Sequence, residues 1–412
     1  MTALRVAIII DDFFPSSGGI GRSVQTQLEE LTALGHEVTL IVPDIKLEKP
    51  RIGRLIETPT HYMRGLPAHL SILHFSDARA KRIAKKRQFD IVHTQTERGA
   101  MVLGSKIARL QGIPHLHTFH ANIAGSHQTV RAAVFGTWLY RYLALPALKR
   151  ASGRSLPWPA MPSMRDETGG LFARMDWQTF AAMATQVDAF TVPSPFMLDL
   201  MQKCSHTELN GHVVPTGVNR QMLKALDGMR RDRREGTTRF ISIGRLAKEK
   251  RLDVLIRAFR RANLSDAELV LVGDGDQRKK LKRLAEGLPV DFRGHVPSVR
   301  RIAYELANAD ALILSSYRFD SQGLVIAEAV AAGLPVMYCD DRLTVGLSKE
   351  SALLTGPDIK SMARGLQRLT KKSVREKMSL ATADVLPCLM PDRTAAQFVD
   401  TYRTVIERKS RG

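Results

Sequence analysis

Cysteine is scarce and scattered. Cys204, Cys339 and Cys388 show no paired spacing, which excludes a disulfide framework and a cysteine-based zinc site. Long apolar runs are missing as well: no stretch approaches the roughly 20 residues needed to cross a bilayer. The chain opens on the strand-like LRVAIII, with no basic leader or small-residue cleavage site, so the protein is expected to be cytoplasmic. Acidic residues are the third shortage, with 41 Asp and Glu against 61 Lys and Arg, a net charge of +20. That excess favours anionic partners: phosphates of a small substrate, nucleic acid, or an anionic membrane surface. The basic residues are spread along the whole length without a recognition-helix, zinc or aromatic RNA-binding signature, so no nucleic acid is expected as a partner.

What is present describes a globular protein. The 412 residues are 44% hydrophobic and 25% charged, which suits two to three domains. Strand-type runs alternate with helical spacing throughout, and this predicts an α/β protein with parallel sheets covered by helices. In the first half the strands read as Leu4–Ile10, from Glu37, Phe89–Thr94, His115–Phe119, Ala189–Pro193 and His212–Pro215. Gly18, Gly19 and Gly21 form a glycine loop feeding a helix from about Ile20, where backbone N–H groups can approach a phosphate. His117 and His120 fall at the end of a strand, the edge where ligands gather in such sheets.

Two basic segments stand apart from this alternation. One is the run Arg79–Arg87. The other combines Trp138, Leu139, Tyr140, Tyr142, Leu143, Leu145 and Leu148 with Arg141, Lys149, Arg150 and Arg154, followed by SLPWPAMPSMR. It reads either as a helical insertion packed on its own domain or as an interfacial segment at an anionic membrane. Further on, the charged LDGMRRDRREGTTR reads as a linker, and a second βα series opens with RFISIGRL. The expected organisation is therefore an N-terminal domain 1–219, a linker 220–237, a C-terminal domain 238–390 and a closing helix 391–412.

The second series is organised around ALILSSYRFDSQGLVIAEAVAAGLPVMYCD, a strand, helix, strand unit. Asp320 and Gly323 lie at the mouth of its helix, and Glu328 follows eight residues after Asp320. A loop carboxylate, a glycine open to close approach and a helix-borne carboxylate suit a polyhydroxylated, phosphate-bearing ligand. Taken alone, Asp320 reads as a helix cap before it reads as a ligand contact. Glu328 sits among apolar neighbours, so its charge must face solvent or a partner.

The segments GRLAKEKRLDVLIRAF, LVLVGDGDQRKKL, FRGHVPSV, ANADALILSS and DSQGLVIAEAVAAGLPV, with GGIGRSV, HTFH and VVPTGVN in the first half, resemble the retaining glycosyltransferases of family 4. The resemblance spans most of the chain. It implies the GT-B fold, with two Rossmann-like domains facing a cleft, and a nucleoside diphosphate sugar as co-substrate without a metal or other cofactor. Arg245 and Lys250 match the pair that binds the donor diphosphate. Asp320 matches the acid contacting the transferred sugar, and Glu328 the acid holding the ribose hydroxyls. Gly323, Leu324 and Val325 match the backbone near the sugar and phosphates, while Val296 falls where the nucleobase packs. Gly19 matches the glycine loop against the diphosphate, and His120 the histidine near the reacting face.

Two departures are visible. The first acid is usually glutamate and is aspartate here, and the usual Gly-Phe after it is Ser321-Gln322. The form acid, small hydroxyl, Gln, Gly, Leu looks like that of diacylglycerol glucosyltransferases. The expected activity is retaining transfer of a hexose, glucose in UDP-glucose, to a hydroxyl of a membrane lipid such as diacylglycerol, by an enzyme peripheral to the inner face of the cell membrane. A cell-envelope saccharide or polyprenyl-linked acceptor is the alternative, and a same-fold epimerase or phosphorylase a more distant one.

Overall fold

The computed structural model describes residues 2–12, 18–44, 52–61, 71–128, 133–157, 170–229, 232 and 236–411. Parts of the loop before Gly18, of the proline-rich run after Ser155 and of the charged run after Met229 lie outside the described residues. The chain divides into two compact units, Met1–Thr216 with Pro391–Gly412, and Gly217–Met390.

Strand-type sequence in the first unit becomes β1 (Arg5–Ile9), β2 (Glu37–Pro43), β3 (Arg54–Thr58), a short antiparallel pair β4 (Thr60–His61) and β5 (Ile72–Leu73), β6 (Ile91–Thr94), β7 (His115–Thr118), β8 (Ala189–Val192) and β9 (Gly211–Val213). Seven of these form a parallel sheet ordered β3-β2-β1-β6-β7-β8-β9. Ile8 stands opposite Leu40 on one side and His93 on the other. Helices on both faces explain why Val6, Ala7, Ile8 and Ile9 are continuous apolar residues with no exposure.

Helices α1 (Gly19–Ala33), α2 (Asp77–Lys86) and α3 (Gly99–Gln111) return the chain between strands. In α2, Ala80, Ile83 and Ala84 face inward while Lys81, Arg82, Lys85 and Lys86 stay exposed. The aromatic segment is one helical run, α4 (Ala133–Leu139), a π turn over Tyr140–Ala144 and α5 (Leu145–Ser152). Leu145, Leu148 and Ala151 pack inward, but Phe135, Trp138, Tyr142 and Leu143 are 62%, 50%, 51% and 63% exposed. The sequence gives no period for the next helix, Leu171–Ala184, because it is covered almost all round: Asp176, Gln178 and Thr179 are buried beside Trp177 and Phe180.

The closing helix runs from Pro391 to Arg411 and packs on the first unit. Phe398, Val399, Tyr402 and Val405 join the cluster of Val6, Ile8, Val24 and Leu28. Tyr402 Oη bonds Gln27 Nε2 at 2.9 Å and His93 Nδ1 at 2.7 Å inside that core.

The second unit begins at Gly217, three residues before the stretch 220–237 read as a linker, and takes that stretch in. Arg220–Leu226 is helical, capped by Asn219, and packs on the helix Val299–Ala307. Strands β10 (Thr238–Ile243), β11 (Ala267–Val272), β12 (Val290–Gly294), β13 (Ala311–Leu314), β14 (Val336–Tyr338) and β15 (Ala352–Leu354) form a parallel sheet ordered β12-β11-β10-β13-β14-β15. Its core gathers Phe240, Leu269 and Ile313 with Leu255, Ile256 and Phe259 of the helix Leu252–Ala262.

Candidate active site

In the second unit the strand order reverses between β10 and β13, which are parallel neighbours. Loops leaving such strands diverge to opposite faces, and the space beyond their C-terminal ends is where open α/β sheets hold ligands. The β10 loop carries Arg245 and Lys250. The β13 loop carries Asp320 and leads into the helix Leu324–Ala331. Glycine shapes the β10 exit: Gly273 has φ +139°, and a Cβ there would overlap the Gly244 carbonyl, so two strand exits run backbone against backbone.

Lys250 ends a 3₁₀ turn, Lys248–Lys250, that aims its side chain across to the neighbouring loop. Its Nζ donates to Asp320 Oδ1 at 2.5 Å, and the Ser316 hydroxyl donates to the other carboxylate oxygen. Burial pushes the Asp320 pKa upward, but the charge and hydrogen bond of Lys250, helped by Ser316 and Arg342, outweigh it and hold the carboxyl below its usual value. The Lys250 ammonium also lies 5.5 Å from the Phe319 ring centroid. Arg245 pairs with the buried Glu249, yet 60% of its side chain remains exposed, so it can reach a ligand from a fixed base.

Gly323 caps the next helix with φ +78°, a left-handed conformation that favours glycine, and no side chain occupies the cap. The first-turn N–H groups of Leu324 and Val325 therefore lack intrahelical acceptors. Glu328 is half-buried in the following turn, flanked by buried Ala327 and Ala329, and Val296 is half-buried just past β12. Sequence reasoning passed over two further residues here. Arg342 makes a two-point contact with Asp340 at 3.0 and 2.9 Å, and Asp340 also accepts the Arg318 N–H at 2.6 Å. Their only sequence signal is a charged DDR directly after a buried strand.

In the first unit Gly19 opens α1 and is exposed. His120 is half-buried, its Nε2 2.7 Å from Gln95 Oε1, and Gln95 in turn donates to Gln27 Oε1 at 2.9 Å. Burial, with a contribution from His117, pushes His120 down to about 3, so the ring is neutral. Donating from Nε2, it keeps a lone pair on Nδ1 for a hydroxyl. His117, expected with it at the end of a strand, is the third of the four residues of β7 and has no exposure.

Also unread in the sequence is a charged group where this sheet reverses, between β1 and β6. Asp11 is fully buried and accepts from Leu73 N at 2.7 Å, Thr96 Oγ1 at 2.7 Å and Ala100 N at 3.0 Å. Arg98 pairs with Asp12 and lies 4.0 Å from Asp11. Among the described residues no three His, Cys, Asp or Glu side chains could together hold a metal ion.

Residues 17–221 match the sequence profile described as Glycosyltransferase Family 4, and residues 229–383 that of Glycosyl transferases group 1. The chain is 24% identical over 357 residues to an alpha-monoglucosyldiacylglycerol synthase of Streptococcus pneumoniae, covering 81% of this chain and 70% of the relative. It is 24% identical over 387 residues to a GDP-mannose-dependent alpha-(1-6)-phosphatidylinositol dimannoside mannosyltransferase of Mycobacterium tuberculosis, covering 92% and 91%. Among solved structures, Anabaena HepE in complex with UDP aligns with a TM-score of 0.65 at 14% identity, covering 97% of this chain and all of that one, 100%.

Proposed function

Because the chain belongs to glycosyltransferase family 4 and has its GT-B architecture, we propose that it moves glucose from UDP-glucose to a hydroxyl of a membrane lipid such as diacylglycerol, with retention and without a metal. The observation that carries the donor reading is the cation and acid pair Lys250–Asp320 beside Arg245, where the second sheet reverses. A nucleoside diphosphate leaving group gains negative charge as the glycosidic bond breaks. Two positioned cations stabilise that charge more in the transition state than in the ground state, which lowers the barrier without a protein nucleophile.

The remaining roles follow the chemistry of each group. Glu328 accepts from the ribose hydroxyls. The open N–H groups of Leu324 and Val325 beside Gly323 meet phosphate or sugar oxygens, and Val296 offers an apolar contact to the base. Asp320, already fixed by Lys250 and Ser316, accepts from a hydroxyl of the transferred sugar. In the first unit, Gly19 lets backbone approach the diphosphate and His120 presents Nδ1 to the sugar. Attack by the acceptor on the face the diphosphate leaves, with that phosphate taking the acceptor's proton, gives retention; the protein positions and neutralises.

A lipid acceptor is supported by the relatives named above and by the exposed face of Phe135, Trp138, Tyr142 and Leu143 with Lys149 and Arg150 at its end. No helix among the described residues is long and apolar enough to cross a membrane; the attachment proposed is peripheral, through the exposed aromatic and basic residues, on the anionic inner face. The test is transfer from UDP-glucose and GDP-mannose to diacylglycerol, phosphatidylinositol and soluble saccharides, with product mass and anomer determined. Glucosylated diacylglycerol in the α configuration is the expected product. Transfer only from GDP-mannose would replace the donor assignment, and transfer only to a saccharide would replace the acceptor.

A further inference from the structure

We propose that Glu97 and His117 form the point where the acceptor's hydroxyl docks, and that the charges around them select an acceptor whose reacting end is uncharged. The proposal deepens the glycosyl-transfer reading and rests on it.

The place is set by topology. Glu97 follows the C-terminal end of β6, beside the reversal between β1 and β6, and His117 is on the adjacent strand β7. His120, held by Gln95 two residues before Glu97, belongs to the same edge. Glu97 is 6% exposed and His117 not at all. Even so, Glu97 Oε1 and His117 Nε2 are buried atoms without a hydrogen-bond partner among the described residues, 3.9 Å from each other. Buried polar atoms are rarely left so. The gap is too long for a direct bond; an oxygen about 2.8 Å from both would sit to one side of the line joining them, and because both atoms are covered the neighbouring side chains must part to admit it.

The proton arrangement behind His117 is nearly fixed. Ser105 Oγ meets His115 Nδ1 at 2.9 Å, His115 Nε2 meets Thr94 Oγ1 at 2.8 Å, and Thr94 Oγ1 meets His117 Nδ1 at 2.7 Å. Two proton placements satisfy this chain. A carboxylate facing Nε2 selects the one in which Thr94 donates to Nδ1 and Nε2 carries the hydrogen. Burial pushes His115 and His117 down to about 3, so both rings are neutral in that placement. A hydroxyl entering the gap then accepts from His117 Nε2–H and donates to Glu97 while it docks, and its hydrogen turns to the leaving phosphate as the diphosphate departs.

Charge decides what the hydroxyl can belong to. Among the described residues, Asp11, Asp12 and Glu97 lie around the Arg98 guanidinium, which pairs with Asp12. A phosphate would bring its charge beside these carboxylates in a poorly solvated place, whereas a neutral polyol or acylglycerol would not. Arg98 Nε and Nη1 have no hydrogen-bond partner among the described residues, and they offer donors to an uncharged oxygen such as an ester carbonyl.

The decisive experiment compares the full chain with Glu97→Gln, using 1,2-diacylglycerol and phosphatidylinositol in phosphatidylcholine vesicles and the donor that supports turnover. Glutamine keeps the shape but replaces the accepting oxygen. The wild type should prefer diacylglycerol, and the variant should lose about ten- to a hundredfold in acceptor kcat/KM with UDP affinity unchanged. Burial pushes Glu97 up to about 7, with Arg98 opposing, and the other titratable groups facing it are His117 and Tyr140. Wild-type acceptor kcat/KM should therefore rise as pH climbs through that value, and the variant's should not. A folded variant with unaltered acceptor kinetics and pH profile would overturn the proposal, as would a wild type that prefers phosphatidylinositol. If the variant does not fold, the wild-type preference and pH profile still decide. A wild type that neither binds UDP nor transfers to either lipid removes the glycosyl-transfer reading itself, a result distinct from the others.

Discussion

Lys250 and Asp320 are joined side chain to side chain, Nζ to Oδ1 at 2.5 Å, across two loops 70 residues apart in sequence. The cation is thus oriented before any ligand arrives, and the carboxylate is kept ionised despite its burial. One bond sets the direction of the cation and the protonation of the carboxylate, the two groups proposed to meet the donor.

Replacing Lys250 by alanine removes a preorganised donor and strands a buried carboxylate. Steady-state kinetics should show a loss of about 2–3 kcal/mol of transition-state stabilisation in kcat/KM. The Lys250→Ala, Asp320→Ala pair should be clearly non-additive in stability, since each single change leaves the other group unpaired. Near-normal turnover of Lys250→Ala would remove the diphosphate assignment.

Tyr402→Phe deletes one hydroxyl from the core of the first unit and leaves Gln27 Nε2 and His93 Nδ1, 3.0 Å apart, to pair with each other. The expected cost is about 1 kcal/mol. All three tryptophans, Trp138, Trp158 and Trp177, precede residue 217, so tryptophan fluorescence during urea unfolding follows this unit alone. An unchanged midpoint would mean that the hydroxyl contributes nothing.

Acid should weaken the same unit. Burial pushes His115, His117 and His120 down to about 3 and lowers His93 well below its usual value, so unfolding takes up protons below about pH 6.5. Glu97, pushed up to about 7, works in the opposite sense and cancels one of these. Counting the three histidines with stated values against that glutamate leaves two protons, or about 3 kcal/mol lost per pH unit between about 6.5 and 4.5. The check is the urea midpoint at several pH values; a midpoint that rises on acidification would contradict the sign.

Vesicle flotation tests the exposed aromatic face. Binding to anionic vesicles should weaken with salt, because Lys81, Arg82, Lys85, Lys86, Lys149 and Arg150 supply its electrostatic part. Phe135→Ala with Trp138→Ala should lower binding at every salt concentration while leaving UDP affinity intact. Equal flotation of this double variant and the wild type would exclude that face as the contact.

The second unit was legible because its signals are local. LDVLIRAFRRA has a helical period and folds as the helix it suggests, and the Asp320 loop lies between two short apolar runs that become β13 and β14. The first unit hid more. β3 is an edge strand whose residues are mostly exposed, so it lacks a buried-strand pattern, and Leu171–Ala184 is covered on nearly all sides, so it lacks a polar face. Glu97 meets His117 only through the pairing of β6 with β7, which no local spacing reveals. Ser316 and Gln95, the partners of Asp320 and His120, are ordinary polar residues until the loops bring them into place.

The helix Pro391–Arg411 belongs to the unit that begins the chain, so the second unit is in effect an insertion, and near its ends Val218 N bonds Leu389 O at 2.8 Å. During synthesis Val6, Ile8, Val24 and Leu28 must wait for Phe398 and Tyr402, nearly four hundred positions downstream, before they are covered. A ribosome stalled after the insertion but before the last helix has emerged therefore leaves a finished second unit tethered to an unfinished first, with a greasy sheet face open to chaperones and proteases.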